Sequence, residues 1–375
     1  MDLSTTRWIG LFVSAYVSSV LASIGGIGGG GILIPFYSLI ADIEIKDAIV
    51  LSIVTIAGNS MIRGIYYIRK RNSLAKNRYL PNYDLIRLIV PFDGNTAYLG
   101  YLINEVAPNI VILVIIILMI SFMIFKTIKK VIYYAKNKEM KYYSIIVVDN
   151  INVKIDEELQ IENGRKGETK KDLFKNIIFT LLSVGLIAFF TIIRENSERD
   201  YIIYIIQVLI VGVFGYMTID HIKTNYLLRK KKKFNFIDGD INWNESKSFL
   251  KYAGAASTVG FFSTMLGIGG GMIMNPIMLG FNITPEVVLA TSSISTFFSS
   301  VISALQFIVT DGVEWYHGVL FLLGGLASLT SIIILGFLQK KIKFIITCIL
   351  TIALILSLIL LTVVNIIKMV DEGLS

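Results

Sequence analysis

Histidine and cysteine are nearly missing from this chain of 375 residues, which has two histidines and one cysteine. The single cysteine, Cys348, cannot form an intrachain disulfide, and no zinc-binding pattern is present. Two histidines offer no recognisable His-based catalytic triad, and no phosphate-binding or dinucleotide-binding glycine motif occurs in a suitable context. We therefore expect no metal site, no cofactor and no enzymatic activity. Charge is also scarce, because 17% of the residues are charged and 54% are hydrophobic.

Long apolar segments, by contrast, recur along the whole chain, and most can cross about 30 Å of hydrocarbon as helices. The sequence thus predicts an all-α, multi-pass integral membrane protein that has the lipid bilayer as a partner. The net charge of +8 concentrates in a few loops, so it indicates topology and not a nucleic-acid partner. The segments are 8–22, 48–68, 83–103, 110–128, 177–193, 201–219, 249–266, 287–309, 318–338 and 344–367.

The chain contains two copies of a glycine-rich motif, GIGGGGILIP from Gly26 and GIGGGMIMNP from Gly267, which match at seven of ten positions. Further along, Ser52 aligns with Thr291 when the second copy is two residues shorter. We predict two repeats, each with a glycine-broken helical hairpin followed by three transmembrane helices. The predicted segments are a first repeat over 1–134, a loop insert over 135–175, an extra transmembrane hairpin over 176–228, a basic loop over 229–247 and a second repeat over 248–375.

The distribution of lysine and arginine predicts the orientation of these repeats. Loops after residues 69, 126, 229 and 340 are basic, whereas loops near residues 42, 105, 195 and 311 are acidic or balanced. If the basic loops face the cytoplasm, each glycine-broken pair must start and end on the same side of the membrane. Each pair is then a hairpin of two short helices with its turn inside the membrane, and the repeats are inverted. Inverted repeats with interrupted helices indicate a transporter with a midplane binding site.

A glycine-rich turn at membrane depth suits a ligand site, because glycine adopts positive φ and lets a ligand approach the backbone closely. The helix after each turn presents unpaired N–H groups and the positive end of its dipole, which together bind anions. Close helix packing by small residues is the alternative explanation. We expect the two turns to face each other across a central cavity. The predicted substrate-binding residues are Gly28, Gly29, Gly30, Ser52, Thr55, Gly269, Gly270, Gly271, Asn275, Thr291 and Ser292.

One carboxylate, Asp93, falls in the middle of an apolar segment, between Pro91 and Gly94. A carboxylate inside the membrane is a functional candidate, so one interpretation is that Asp93 couples transport to an ion. The other is that Asp93 caps a helix interrupted by proline and glycine. Both interpretations stay open.

Several motifs resemble those of the TauE/SafE family, the sulfite exporter-like membrane transporters, and most closely its eukaryotic branch. The resemblance rests on GIGGGMIMNP and ITPEVVLATSSISTFFSSVISALQF in the second repeat. In the first repeat it rests on YDLIRLIVP with Gly100, Asn104 and Pro108. The resemblance implies export or uptake of small sulfur-containing anions, such as sulfite or organosulfonates. Asp93 departs from the mostly apolar pattern of the family at its position, so the resemblance assigns it no role.

The sequence therefore predicts a secondary transporter that moves a small anion by alternating access, and a homo-oligomer is compatible with it. An alternative is a membrane adaptor or receptor that has the same fold and uses the insert over 136–175 to hold a partner. A membrane enzyme is the third hypothesis.

Overall fold

The computed structural model describes residues 4–25, 30–72, 78–136, 170–195, 200–231, 240–244 and 246–337, and a few positions between 351 and 362. This part of the chain is almost entirely helical and contains no β-strand. The helices are α1 (Thr5–Gly25), α2 (Gly30–Ile40), α3 (Ile45–Tyr67), α4 (Tyr83–Val106), α5 (Asn109–Lys136), α6 (Lys170–Glu195), α7 (Asp200–Lys231), α8 (Ser246–Leu266), α9 (Gly270–Gly280), α10 (Pro285–Asp311) and α11 (Trp315–Phe337).

Six helices of the described residues, α1, α3, α6, α7, α10 and α11, are long and apolar enough to cross a membrane. Helices α4 and α8 were also predicted to span the membrane. They are similar in length to the six helices above but contain more polar residues. In α4 these residues, including Asp84, Arg87 and Asp93, are buried within the protein, where membrane proteins place such groups. The prediction of an all-α, multi-pass integral membrane protein is confirmed.

Helices α3 and α10 pack against each other in the interior, with α11 beside α3 and α4 beside α10. Two neighbouring contacts bring backbones together: a Cβ atom at Gly58 would overlap the Phe321 carbonyl, and one at Gly260 would overlap the Asp93 carbonyl. Small residues allow such close packing between membrane helices. Helix α1 of the first predicted repeat packs on α11 of the second, and α8 of the second packs on α4 of the first. The first helix of each repeat therefore packs against the other repeat.

The helices on either side of each glycine-rich segment form hairpins. In the first, Arg7 Nη2 lies 3.2 Å from Asp42 Oδ2, which brings the start of α1 next to the end of α2. In the second, the Tyr252 ring on α8 lies 4.9 Å from the ring of Phe281, directly after α9. Helices α2 and α9 are short, with 11 residues each. Helices α1 and α8 have 21 residues, longer than predicted, because no glycine cluster interrupts them earlier.

The loops gather at two ends of the molecule. The acidic face contains Asp42, Glu105, Glu195 and Asp200, and Lys46 on α3 donates to the Glu105 carbonyl there. The basic face contains the end of α3, the start of α4 and the end of α7. Two ion pairs, Arg229 with Asp84 and Arg78 with Asp240, connect the region at the start of α4 with the region at the end of α7. These pairs have N–O distances of 3.0 and 2.7 Å. Hairpin α1–α2 has its open end at the acidic face, and hairpin α8–α9 has its open end at the basic face.

Candidate substrate site at the hairpin turns

The turn between α8 and α9 is a short non-helical segment, and it is fully buried. Its glycines Gly267 and Gly269 have φ angles of 64° and 73°. Residues other than glycine rarely adopt such φ angles, so the backbone conformation of this turn requires glycine at both positions. Helix α9 begins directly afterwards at Gly270, and the first N–H groups of a helix have no partner within the helix. The turn therefore places a helix N-terminus inside the protein.

The two hairpins meet at their glycine-rich ends. A Cβ atom at Gly30 would overlap the backbone of Ile268, and one at Gly31 would lie 2.6 Å from Met272 Cε. The first turns of α2 and α9 are thus neighbours. Gly28 and Gly29 lie outside the described residues. We predicted a central cavity between the two turns. No cavity separates Gly30 from the second turn, because Gly30 packs directly against the backbone of Ile268.

Ser52 on α3 contacts the second turn. Its hydroxyl donates to the Gly267 carbonyl at 2.6 Å and to the Ile49 carbonyl at 2.8 Å. Thr55, one turn further along α3, forms a hydroxyl pair with Tyr37 of α2 at 2.8 Å. Both α3 side chains are fully buried. The structure therefore brings Ser52 to Gly267 and ties Thr55 to the first hairpin.

The structure does not bring Thr291 and Ser292 to the described turn residues. The Thr291 hydroxyl accepts from the Asn82 backbone N–H at 2.9 Å, near the basic face. Ser292 donates to the Leu289 carbonyl of its own helix at 3.3 Å. Gly271 is buried in the first turn of α9, and Asn275 is half-buried one turn later. The predicted residues therefore fall into a group at the second turn and a separate pair on α10.

Asp93 is buried at the junction of α4, α8 and α10. Helix α4 runs without interruption through Pro91 and Gly94, so the capping interpretation is wrong. The Ser299 hydroxyl of α10 lies beside the Asp93 carboxylate, yet Asp93 Oδ1 and Ser299 Oγ form no hydrogen bond of good geometry among the described residues. Ser299 Oγ also lies 3.3 Å from the Cβ position of Gly270. Ser299 therefore links the carboxylate to the start of α9.

Sequence reasoning missed Ser299 and the hydroxyl ties of the hairpins. Ser299 follows Ser292 by seven residues, which places both on one face of α10, so the periodicity could have identified it. Ser23 at the end of α1 donates to Asn59 Oδ1 on α3 at 2.9 Å. In the second hairpin the Thr264 and Ser303 hydroxyls lie 2.6 Å apart. Each hairpin is thus held by a side-chain hydrogen bond to the helix that follows it.

Among the described residues, the side chains that directly contact the second turn are uncharged, so the turn itself offers hydrogen-bond donation from backbone N–H groups. The nearest side chains to Gly267 and Gly270 belong to Ile49, Ser52, Val259 and Ser299. No group of three metal-ligating side chains occurs in the described part of the chain. The positive field at the turn therefore comes from the N–H groups and dipole of α9, equivalent to about half an elementary charge.

Interrupted helices that meet inside a multi-pass bundle define this chain as a membrane protein of the transporter class. Residues 161–360 match the model of the family "Sulfite exporter TauE/SafE", and the chain belongs to that family. Among its relatives is sulfite exporter TauE/SafE family protein 1 of Arabidopsis thaliana, 26% identical, with 82% of this chain and 72% of the relative aligned. Family protein 2 of the same plant is 24% identical, with 91% and 78% aligned. No solved structure gives a significant match.

Proposed function

We propose that this protein is a secondary transporter for a small anion, with a sulfur oxyanion or a small organosulfonate as its substrate. The observation that carries the proposal is the buried N-terminus of α9, which lies next to the start of α2. The family and the names of the plant relatives support the sulfur chemistry. Membership of a transporter family also favours transport over an enzymatic function.

An anion is the ligand that this arrangement favours. Backbone N–H groups at a helix N-terminus donate to oxyanions, and the helix dipole adds a positive potential. Gly270 and Gly271 have no side chains to block approach, and Ser52 is fixed at the edge of the turn. A site without lysine or arginine also holds its anion less tightly, which suits release on the other side of the membrane.

Helix pairing supports two inverted repeats and alternating access. Helix α1 packs on α11 as α8 packs on α4, and the hairpins open to opposite faces. Because Gly30 packs on Ile268, an anion would reach the second turn when the hairpins separate. With the basic face in the cytoplasm, a cysteine at position 311 should react with an external reagent, and one at position 76 should not.

Asp93 gives this mechanism a coupling group. An ionised carboxylate next to Ser299, which contacts Gly270, would repel an anion bound at the start of α9. Protonation of Asp93 removes that repulsion, so the proposed transport couples one proton to the anion. Among the described residues, Ser299 is the polar side chain that acts on Asp93, and no charged side chain does so. The charged or titratable residues of the helices that pack on α4 include Asp172, Lys175, Arg194, Glu195, Asp200, Asp220, His221, Lys223, Arg229, Lys247, Lys251 and Glu286.

Flux in proteoliposomes tests the proposed function. The reconstituted protein should take up labelled sulfite or a labelled small organosulfonate faster than protein-free liposomes do, and unlabelled anions should compete. Absence of anion flux in correctly folded protein, or competition by cations, would contradict the proposal. The same assay separates a transporter from an adaptor, whose partner-binding insert falls mostly outside the described residues.

A further inference from the structure

A second polar region lies at the acidic face, outside the contact between the hairpin turns. A cavity of about 200 Å³ is formed there between helices α4, α6, α7 and α10. Its wall contains one arginine, three carboxylates and two tyrosines, a set that the proposed hairpin site does not use. The lining residues include Tyr98, Tyr101, Glu105, Arg194, Glu195 and Asp200.

Arg194 is the buried cation of this cavity, with only 5% of its surface exposed. Its Nη1 donates to Gln207 Oε1 at 3.3 Å and its Nη2 donates to Gln306 Oε1 at 2.5 Å. Its guanidinium carbon lies 3.2 Å from the centre of the Tyr98 ring. All three partners are neutral, and Arg194 forms no ion pair within the described ranges. Arginine stays protonated even when it is buried, and Asp200 of the same cavity acts on Arg194 electrostatically without forming an ion pair. The guanidinium therefore presents positive charge to the cavity.

The partners of Arg194 are themselves held in place. Gln306 donates from Nε2 to the Thr191 hydroxyl at 3.0 Å, and Gln207 donates from Nε2 to Asn95 Oδ1 at 3.2 Å. These bonds fix the amide groups so that their oxygens face the guanidinium. The position of the cation is therefore set before any ligand arrives, which lowers the entropic cost of binding.

The three carboxylates occupy the outer part of the same cavity. Glu105, Glu195 and Asp200 are exposed, whereas Arg194 is buried. The rings of Tyr98 and Tyr101 are stacked, with centroids 6.3 Å apart, and the Tyr98 ring is already covered by the Arg194 guanidinium, so the groups left for a ligand cation are the carboxylates. A simple anion would be opposed by three carboxylates, and a simple cation would be opposed by Arg194. A molecule with an inner anionic group and an outer ammonium group satisfies both.

We infer that the acidic-face cavity binds a small zwitterion, whose anionic group pairs with Arg194 and whose ammonium group faces the outer carboxylates. The inference concerns binding and not transport, and it does not depend on whether an anion binds at the hairpin turns.

Binding to the full-length protein in detergent tests this inference with three matched probes of similar size: 3-aminopropanoate, propanoate and propylammonium. Isothermal titration calorimetry should show tightest binding for 3-aminopropanoate. The Arg194→Gln variant should lose its affinity for 3-aminopropanoate on the order of tenfold or more, as expected for a charge-assisted hydrogen bond. The control Arg7→Gln, which alters an exposed arginine of the same face, should bind like the wild type.

Because Arg194 joins four helices, its variant can fail to fold, and a second variant keeps the test decisive. Glu195→Gln combined with Asp200→Asn changes only exposed side chains. It should weaken binding of 3-aminopropanoate and strengthen binding of propanoate, which removes the preference for the zwitterion. The inference is overturned if wild-type protein binds propanoate or propylammonium as tightly as 3-aminopropanoate, or if the double variant keeps the wild-type preference.

Discussion

The two hairpins have the same order of a long and a short helix but different polar chemistry. In both, the first helix is tied by a hydroxyl to the helix that follows the hairpin, through Ser23 or Thr264. The first hairpin also has the buried Tyr37–Thr55 hydroxyl pair. In the repeat alignment, these two positions correspond to Met278 and Ile294, which are both apolar and buried.

Only the second hairpin, as far as the described residues extend, has a buried carboxylate near its turn. Ser299 stands between Asp93 and the start of α9, whereas the aligned Ser60 donates to a carbonyl of its own helix. The two copies therefore have the glycine motif in common, whereas their polar side chains differ. In the proposed mechanism, the first hairpin stabilises the shared contact and the second binds the anion and responds to protons.

Filling the space at the start of α9 with a side chain should reduce anion flux more than any other substitution proposed below. Gly270→Val should abolish anion flux, because its Cβ position already has Ser299 and Val259 atoms at 3.3 Å. Proteoliposome uptake measures the effect, with surface expression as the check on folding. Gly280→Val is the matched control at the other end of α9, where a Cβ meets no atom within 4 Å, and it should transport normally. Normal flux in Gly270→Val would contradict the proposed role of this turn.

Removing the charge of Asp93 should affect the coupling of anion flux to the proton gradient more than it affects the rate of downhill anion flux. Asp93→Asn mimics the protonated carboxylate, so downhill anion flux should persist while its acceleration by an inward proton gradient is lost. Uptake at several imposed pH gradients measures this. Glu105→Gln, which alters an exposed carboxylate of the same helix, should keep the dependence on the gradient. If Asp93→Asn keeps it as well, Asp93 is not the coupling group.

Ser52 and Thr291, which the repeat alignment makes equivalent, should respond differently to truncation. Ser52→Ala removes the hydrogen bond that fixes the Gly267 carbonyl, and we expect anion binding to weaken by about 0.5 to 1.5 kcal/mol, because the turn before α9 is held less firmly. Thr291→Ala should have a smaller effect, since its hydroxyl contacts Asn82 near the basic face. Concentration dependence of uptake in both variants measures the difference. Equal effects would show that both hydroxyls act at the substrate site.

The smallest effect should come from the Tyr37–Thr55 pair of the first hairpin. Tyr37→Phe removes one buried hydrogen bond and should lower the free energy of unfolding by about 0.5 to 1.5 kcal/mol. The double variant Tyr37→Phe with Thr55→Val makes the pair apolar, as in the second hairpin, and should be closer to the wild type in stability. Thermal unfolding in detergent compares them. A large loss of transport at unchanged stability would instead place this pair in the substrate site.

Sequence reasoning predicted the helical membrane fold, because apolar runs and the cost of unpaired backbone groups in lipid leave few alternatives. The duplicated motif also predicted a turn at Gly269–Gly271, whereas in the structure the non-helical residues are 267–269 and the next helix already begins at Gly270. The partners of individual hydroxyls could not be predicted, because Ser52 contacts Gly267 across 215 positions of the chain, and such contacts depend on helix packing. The Arg194 cavity was missed for the same reason, since its lining residues come from four separate helices.

The proposed oxyanion site lies at the start of α9, beside Gly30 of α2, and it can be tested by locating a heavy analogue of the substrate. Crystals of the protein soaked in selenite can be measured at the selenium absorption edge. We predict an anomalous peak within hydrogen-bond reach of the Gly270 and Gly271 N–H groups, and no such peak in Gly270→Val. Selenite bound only elsewhere in the protein, or bound unchanged in Gly270→Val, would contradict the claim.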